Sequence, residues 1–225
     1  MHTGLARIDE IYTGERAARF SCAENLIPAP GQYALAWALS EPDAPLPVPV
    51  FQAEVCPGGF YAAAPLPPTW TPGLTLRLSG PRGRGFHFPP IARRVALAAL
   101  GGSPARLRAL IAPALAQGAA LALLSDSLPA ADLPLAVEIL PLSALAEISQ
   151  WAEYLALDLP RAALPGLDLQ KLAASLSLEI LLETPLPCGG LAECGACAVL
   201  VGRKPLLTCK DGPVFEGRQL ILRGI

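Results

Sequence analysis

Four cysteines near the C-terminus are spaced Cys188-x5-Cys194-x2-Cys197-x11-Cys209, three on one short stretch and the fourth on a neighbouring one. Thiolates are ligands for soft metals. Three on a tight loop plus a fourth nearby is the arrangement that holds a [2Fe–2S] cluster, close to the plant-type Cys-x4-Cys-x2-Cys spacing. The loop itself reads Cys188-Gly-Gly-Leu-Ala-Glu-Cys-Gly-Ala-Cys197. A chain wrapped around a cluster needs residues at positive φ, and it needs bare backbone whose N–H groups can reach the sulfides; Gly189, Gly190 and Gly195 supply both. Arg203, Lys204 and Lys210 lie in the same segment and would offset the charge of an anionic four-thiolate centre. Zinc is the competing metal. Its structural sites usually pair two tight knuckles across a longer spacer, whereas only Cys194-Gly-Ala-Cys197 is a knuckle here, so the spacing favours iron–sulfur.

The other reactive residue types are read as structural. Cys22 and Cys56 are isolated and expected to be buried or half-buried free thiols. His2 and His87 have no second histidine near them in sequence, so neither is expected to be catalytic. The tryptophans and most tyrosines read as core. Neither a nucleophile elbow nor a Walker loop is present, and no catalytic residue is assigned.

Two kinds of element must carry the cysteine loop. Residues 1–90 read as an antiparallel β-barrel: Leu74-Thr-Leu-Arg-Leu-Ser79 alternates strictly, and apolar runs at 33–37, 48–55 and 60–64 are separated by proline- and glycine-rich turns. The proline tract at 41–49 is a loop or a strand edge, because proline cannot donate to a ladder. Residues 91–184 change to alternating strand and helix. The apolar run 95–100 is a strand buried on both faces, Ser103 and Pro104 start a helix that Gly118 stops and Pro113 kinks, and the strands at 119–124, 135–140, 154–157 and 178–183 alternate with helices at 143–151 and 167–176. That is a parallel-sheet α/β domain of dinucleotide-binding type. Residues 185–225 form the small C-terminal cluster module.

Composition limits the partners. Over 225 residues, 52% are hydrophobic and 16% charged, with a net charge of −2. A folded chain of that balance has no field to gather phosphate backbones, so nucleic acid is not an expected partner. The apolar runs are far shorter than the roughly 20 residues of a membrane span. The N-terminus has no basic head followed by an apolar stretch and a cleavage site, which gives a cytoplasmic expectation in which thiols stay reduced.

At the motif level, Cys188-Gly-Gly-Leu-Ala-Glu-Cys-Gly-Ala-Cys197 followed by Cys209-Lys-Asp-Gly-Pro-Val-Phe215 resembles the electron-transfer subunit of bacterial dihydroorotate dehydrogenase, the iron–sulfur branch of the ferredoxin reductase superfamily. Pro30-Gly31-Gln32-Tyr33 and Gly80-Pro-Arg-Gly-Arg-Gly-Phe86 extend the likeness upstream, and they single out Tyr33 and Phe86 as aromatic residues that could face a flavin. The resemblance implies FAD on the barrel, NAD at the α/β domain and a [2Fe–2S] cluster ligated by Cys188, Cys194, Cys197 and Cys209. It implies electron relay between the flavin of a catalytic dehydrogenase subunit and NAD or another acceptor, in a hetero-oligomer. Surfaces around Pro213-Val-Phe215 are then candidates for docking that subunit.

Several positions depart from the family pattern. The first cysteine gap is five residues rather than four. The family clamps the flavin pyrophosphate with an Arg-x-aromatic-Ser motif on a barrel strand, yet no Arg or Lys occurs between Arg19 and Arg77. The nucleotide glycine run is reduced to Gly101-Gly102-Ser103-Pro104, and the later Cys-Gly-x-Pro-like turn reads Leu157-Asp-Leu-Pro160. These losses leave two further readings open: a cluster-only relay or adaptor without FAD and NAD, and a zinc-binding structural or assembly module.

Overall fold

The computed structural model describes residues 2–12, 16–40, 46–127, 132–173, 176–201 and 204–220. Six strands come first: β1 (His2–Ile11), β2 (Arg16–Cys22), β3 (Tyr33–Ala38), β4 (Val48–Cys56), β5 (Gly59–Ala63) and β6 (Thr75–Arg82). They close into a barrel in the order β1-β2-β5-β4-β3-β6, with every pairing antiparallel. Closure leaves no strand edge exposed. The interior is filled by Phe20, Phe60, Trp70, Leu76 and Leu78, with the Phe20 ring 5.3 Å from Phe60 and 6.1 Å from Trp70. The apolar runs read from the sequence are β3 to β6. In β1 the inward side chains are mainly Ala6 and Ile8 between the charged Arg7, Asp9 and Glu10, which is too sparse a pattern to mark a strand by itself. Of the proline tract, 41–45 lie outside the described residues, and Pro49 enters β4 opposite Leu35.

The second layer contains β7 (Arg94–Ala99), α1 (Ile111–Ala116), β8 (Ala120–Ser125), β9 (Val137–Leu140), α2 (Leu145–Trp151), β10 (Tyr154–Pro160), α3 (Leu169–Leu172) and β11 (Ser177–Glu183). The C-terminal segment adds β12 (Ala198–Val201), β13 (Lys204–Leu207), α4 (Thr208–Asp211), β14 (Val214–Glu216) and α5 (Gly217–Leu220). The sheet order is β14-β11-β10-β7-β8-β9, parallel throughout except for β14, which pairs antiparallel on β11. Its central strands are rich in Ala and Leu and buried on both faces, as a parallel sheet covered on two sides requires. Among the described residues no helix is long and apolar enough to cross a membrane.

The helices are shorter than periodicity suggests, for identifiable reasons. Ser103 caps as expected, accepting the Ala105 N–H at 3.2 Å, but 104–110 is a 3-10 helix and the α-helical register begins only at Ile111. Pro113 therefore falls in the first α-turn, and a change of helix type replaces the expected kink. Gly118 then ends the helix at φ +73°. The helix expected at 167–176 is one turn, capped by Asp168; Pro165 holds the preceding 161–166 in a 3-10 helix, and 174–175 lie outside the described residues. The expected turn at Leu157-Asp-Leu-Pro160 is instead the carboxyl end of β10, paired with β11 as far as Glu183. Leu157 and Leu159 are fully buried there, and that burial outweighs the turn preference of an Asp–Pro-containing tetrapeptide.

Candidate metal centre

The cysteine loop leaves β11 through 184–187, and the chain returns to it through the β12–β13 hairpin. Ala198 pairs with Leu207 at the open end of that hairpin, so Cys197, just before it, and Cys209, two residues after it, come face to face across an 11-residue gap. Their Sγ atoms are 3.3 Å apart and buried. The Thr208 hydroxyl and backbone N–H both donate to the Cys197 carbonyl, at 2.8 and 3.1 Å, and lock the junction. The loop brings the other two cysteines together: the Sγ atoms of Cys188 and Cys194 are 3.4 Å apart, Cys188 half-buried and Cys194 exposed. Gly189, Gly190 and Gly195 stand at φ +54°, +79° and +74°, the positive values expected of them.

The four thiols thus stand as two pairs. A metal–thiolate bond of about 2.3 Å with tetrahedral angles separates two sulfurs on one metal by about 3.8 Å, so each pair is spaced to share one metal atom after a small expansion. Among the described residues, no three His, Cys, Asp or Glu side chains form a group that could hold a single metal ion. The donor set also differs electrostatically from end to end. Hydrogen bonding from the Ala192 backbone, the Cys194 thiol and the Gly190 and Cys194 backbone holds the Cys188 thiol down at about 7. Burial, together with the neighbouring Cys197 thiol, pushes Cys209 up to about 12. Lys210 lies 3.7 Å from Glu193 in an exposed pair, Lys204 is exposed, and Arg203 lies outside the described residues.

The two upstream motifs hold this segment to the barrel. Tyr33 is fully buried, and its hydroxyl donates to the Cys209 carbonyl at 2.9 Å. Burial, then the nearby Cys209, raises its phenol above the ordinary value. Phe86 is half-buried against the α/β core, and its N–H donates to the Pro30 carbonyl at 2.9 Å. Gln32 Nε2 donates to the Gly83 carbonyl at 3.0 Å, and Val214 N–H donates to the Arg84 carbonyl. Residues 30–33, 80–86 and 209–215 therefore form one knot, and Tyr33 presents no free face to a ligand. Val214 and Phe215 are 0% and 1% exposed in that knot, which removes Pro213-Val-Phe215 as a docking surface. Their apolar character serves β14, which must pack on β11.

Cys22 and Cys56 are half-buried free thiols on barrel strands, and His87 is exposed beside Glu179, whose carboxylate also accepts from the His87 N–H and the Tyr154 hydroxyl. Residues that sequence reading did not single out are Arg161, which donates to the Ala198 carbonyl at 2.8 Å and holds the end of the cysteine loop, and Arg106, which forms a bidentate pair with buried Asp158. Isolated arginines carry no motif.

Comparison with known proteins agrees with this division. Residues 188–221 match the iron–sulfur cluster binding domain of dihydroorotate dehydrogenase B. A stretch of 45 residues, 20% of this chain, is 44% identical to the "Probable dihydroorotate dehydrogenase B (NAD(+)), electron transfer subunit" of Pyrococcus furiosus and spans 16% of that relative's length. In fold, the chain is similar to an NADH-dependent reduced ferredoxin–NADP oxidoreductase studied for flavin-based electron bifurcation, at TM-score 0.72 and 17% identity, over 97% of this chain and 90% of that one. It is also similar to the ferredoxin reductase of carbazole 1,9a-dioxygenase, at TM-score 0.60 and 16% identity, over 77% of this chain and 66% of that one. The fold is thus similar to that of solved ferredoxin reductases, and the segment at its end, residues 188–221, is similar to the iron–sulfur cluster binding domain of dihydroorotate dehydrogenase B.

Proposed function

We propose that the chain is an electron-relay subunit that carries electrons through a [2Fe–2S] cluster held by Cys188, Cys194, Cys197 and Cys209, between the flavin of a partner dehydrogenase subunit and NAD or another acceptor. The observation that carries this reading is the two-pair arrangement on a segment that matches an iron–sulfur cluster binding domain. A binuclear cluster needs two thiolates at each end, whereas zinc needs four donors around one point. Such a cluster supplies one-electron transfer. The protein's part is to hold the thiolates, direct backbone N–H groups of the glycine loop at them, and set their solvent exposure. The Cys197–Cys209 pair is sealed under the knot while Cys194 is exposed, so electrons would exchange at the Cys188–Cys194 edge, and the catalytic partner would dock over it.

The test is metal analysis of anaerobically purified protein. Iron and sulfide at about two each per chain, with the visible spectrum of a [2Fe–2S] centre, are expected. Stoichiometric zinc without colour would overturn the reading. Cys194→Ser and Cys197→Ser are each expected to lose most of the iron, and a serine variant that keeps its full iron content would remove that residue from the ligand set.

A further inference from the structure

In an α/β sheet a nucleotide binds outside the carboxyl ends of the strands, at the point where the strand order reverses. Here that point lies between β7 and β10, because the chain runs outward from β7 to β8 and β9 on one side and to β10 and β11 on the other. The barrel closes over the same crevice with β4 and β5. From what fills it, we infer that this crevice is plugged by the protein itself, with Arg106 as the plug, and that the chain binds neither FAD nor NAD.

Three observations support the closure. The first is charge. Arg106 Nε and Nη2 donate to Asp158 Oδ2 and Oδ1 at 2.8 and 2.6 Å, and Nη2 also donates to Glu183 Oε2 at 2.9 Å. Two carboxylates against one guanidinium leave the end of the sheet negative, where a pyrophosphate would need positive charge and free N–H groups. The second is donors. Pro104 has no N–H, and the Ala105 N–H is taken by the Ser103 side chain, so the helix start after Gly101 and Gly102 has lost two of its leading donors. The third is space. The Arg106 guanidinium carbon sits 5.5 Å from the centre of the Phe51 ring on β4. Beside it Ala53, Ala63 and Ala105 pack barrel directly on helix, each 4% exposed or less. The cavities left on either side of Arg106 are about 230 and 210 Å³, each below the roughly 300–1,000 Å³ of small-molecule sites. No Arg or Lys between Arg19 and Arg77 offers a replacement clamp from the barrel. With this crevice closed the chain would hold no two-electron centre there, and hydride chemistry would belong to another subunit.

The experiment is ligand binding by the full-length, iron-loaded protein. Flavin released by acid, retention of added FAD on gel filtration, and FAD and NADH fluorescence titrations are all measured on a sample whose iron and sulfide are also quantified. The expected result is no flavin on the purified protein and no saturable binding of either nucleotide. One flavin per chain, or a Kd tighter than about 1 mM for FAD or NADH, overturns the inference while leaving the relay reading intact. A protein without iron overturns the relay reading and leaves the closure to the binding data alone. The paired variant Arg106→Ala with Asp158→Asn, which removes the plug without stranding a buried charge, is expected to gain measurable binding of lumiflavin, a ring system without phosphates. A folded, iron-loaded variant that binds it no better than the native chain would show that Arg106 is not what closes the crevice.

Discussion

Cys188 and Cys209 differ more in chemistry than their shared side chain suggests, and the difference is measurable before any metal is loaded. The thiolate is the reactive form. With Cys188 held at about 7 by hydrogen bonds from its loop, the metal-free protein is expected to be alkylated there first, at a rate that rises through about pH 7. Cys209, pushed up to about 12 by burial and Cys197, and Cys22, raised to about 11 by burial, stay protonated and slow over that range. Iodoacetamide labelling across a pH series, read by peptide mass spectrometry, checks the order; equal labelling of Cys188 and Cys22 at neutral pH would refute it. Tyr33 gives a second prediction at this scale. Tyr33→Phe removes the hydroxyl that satisfies the buried Cys209 carbonyl, and it is expected to cost about 1–3 kcal/mol in denaturant unfolding and to speed cluster loss. Unchanged stability would mean that the carbonyl finds another partner.

At the scale of elements, the convergence of the four cysteines was legible in the sequence because the spacing puts three of them on one glycine-rich loop and the fourth just beyond a short hairpin. The strands buried on both faces were legible too, since continuous apolar runs have few other uses. The short helices were not, because the apolar spacing that reads as one helix from Ser103 to Gly118 is divided between a 3-10 segment at 104–110 and a short α-helix, and 161–166 folds as a 3-10 segment with only Leu164 buried, too little apolar pattern to mark it. The meaning of the glycine motif at 80–86 was also hidden: its contacts are with 30–33 and 212–214, which are remote in sequence. Gly83 makes this testable. It sits at φ +73°, and a Cβ there would lie 2.5 Å from the Gly212 carbonyl oxygen, whereas Gly58 has a similar φ of +75° with open space around it. Gly58→Ala is expected to cost about 1 kcal/mol from backbone strain alone, and Gly83→Ala clearly more, with faster iron loss as the knot opens. Equal unfolding midpoints for the two variants would show that the close approach at Gly83 is not rigid.

For the molecule as a whole, Arg106 touches Phe51 of the barrel, Asp158 of β10 and Glu183 of β11, so one side chain joins the two layers. Burial raises the Asp158 carboxyl above its ordinary value, and the guanidinium offsets only part of that rise. Burial likewise works to lower Arg106, but the two carboxylates more than reverse it. Removing the guanidinium leaves Asp158, 3% exposed, with an uncompensated charge, so Arg106→Leu is expected to destabilise the protein by about 3–5 kcal/mol near neutral pH. The pH dependence has a definite sign. A carboxyl whose folded-state pKa is raised binds more protons folded than unfolded, so stability is retained below the ordinary carboxylate range and lost as pH climbs through the raised value. In Arg106→Leu that rise is larger, so the penalty should shrink on acidification and grow towards neutrality, and the double variant Arg106→Leu with Asp158→Leu should recover much of the loss at neutral pH. Denaturant unfolding of the native chain and the two variants at acid and neutral pH separates the alternatives: a penalty independent of pH would mean that Arg106 acts through packing on Phe51, and a penalty that shrinks in acid would place the stranded Asp158 charge at the centre of the interlayer contact.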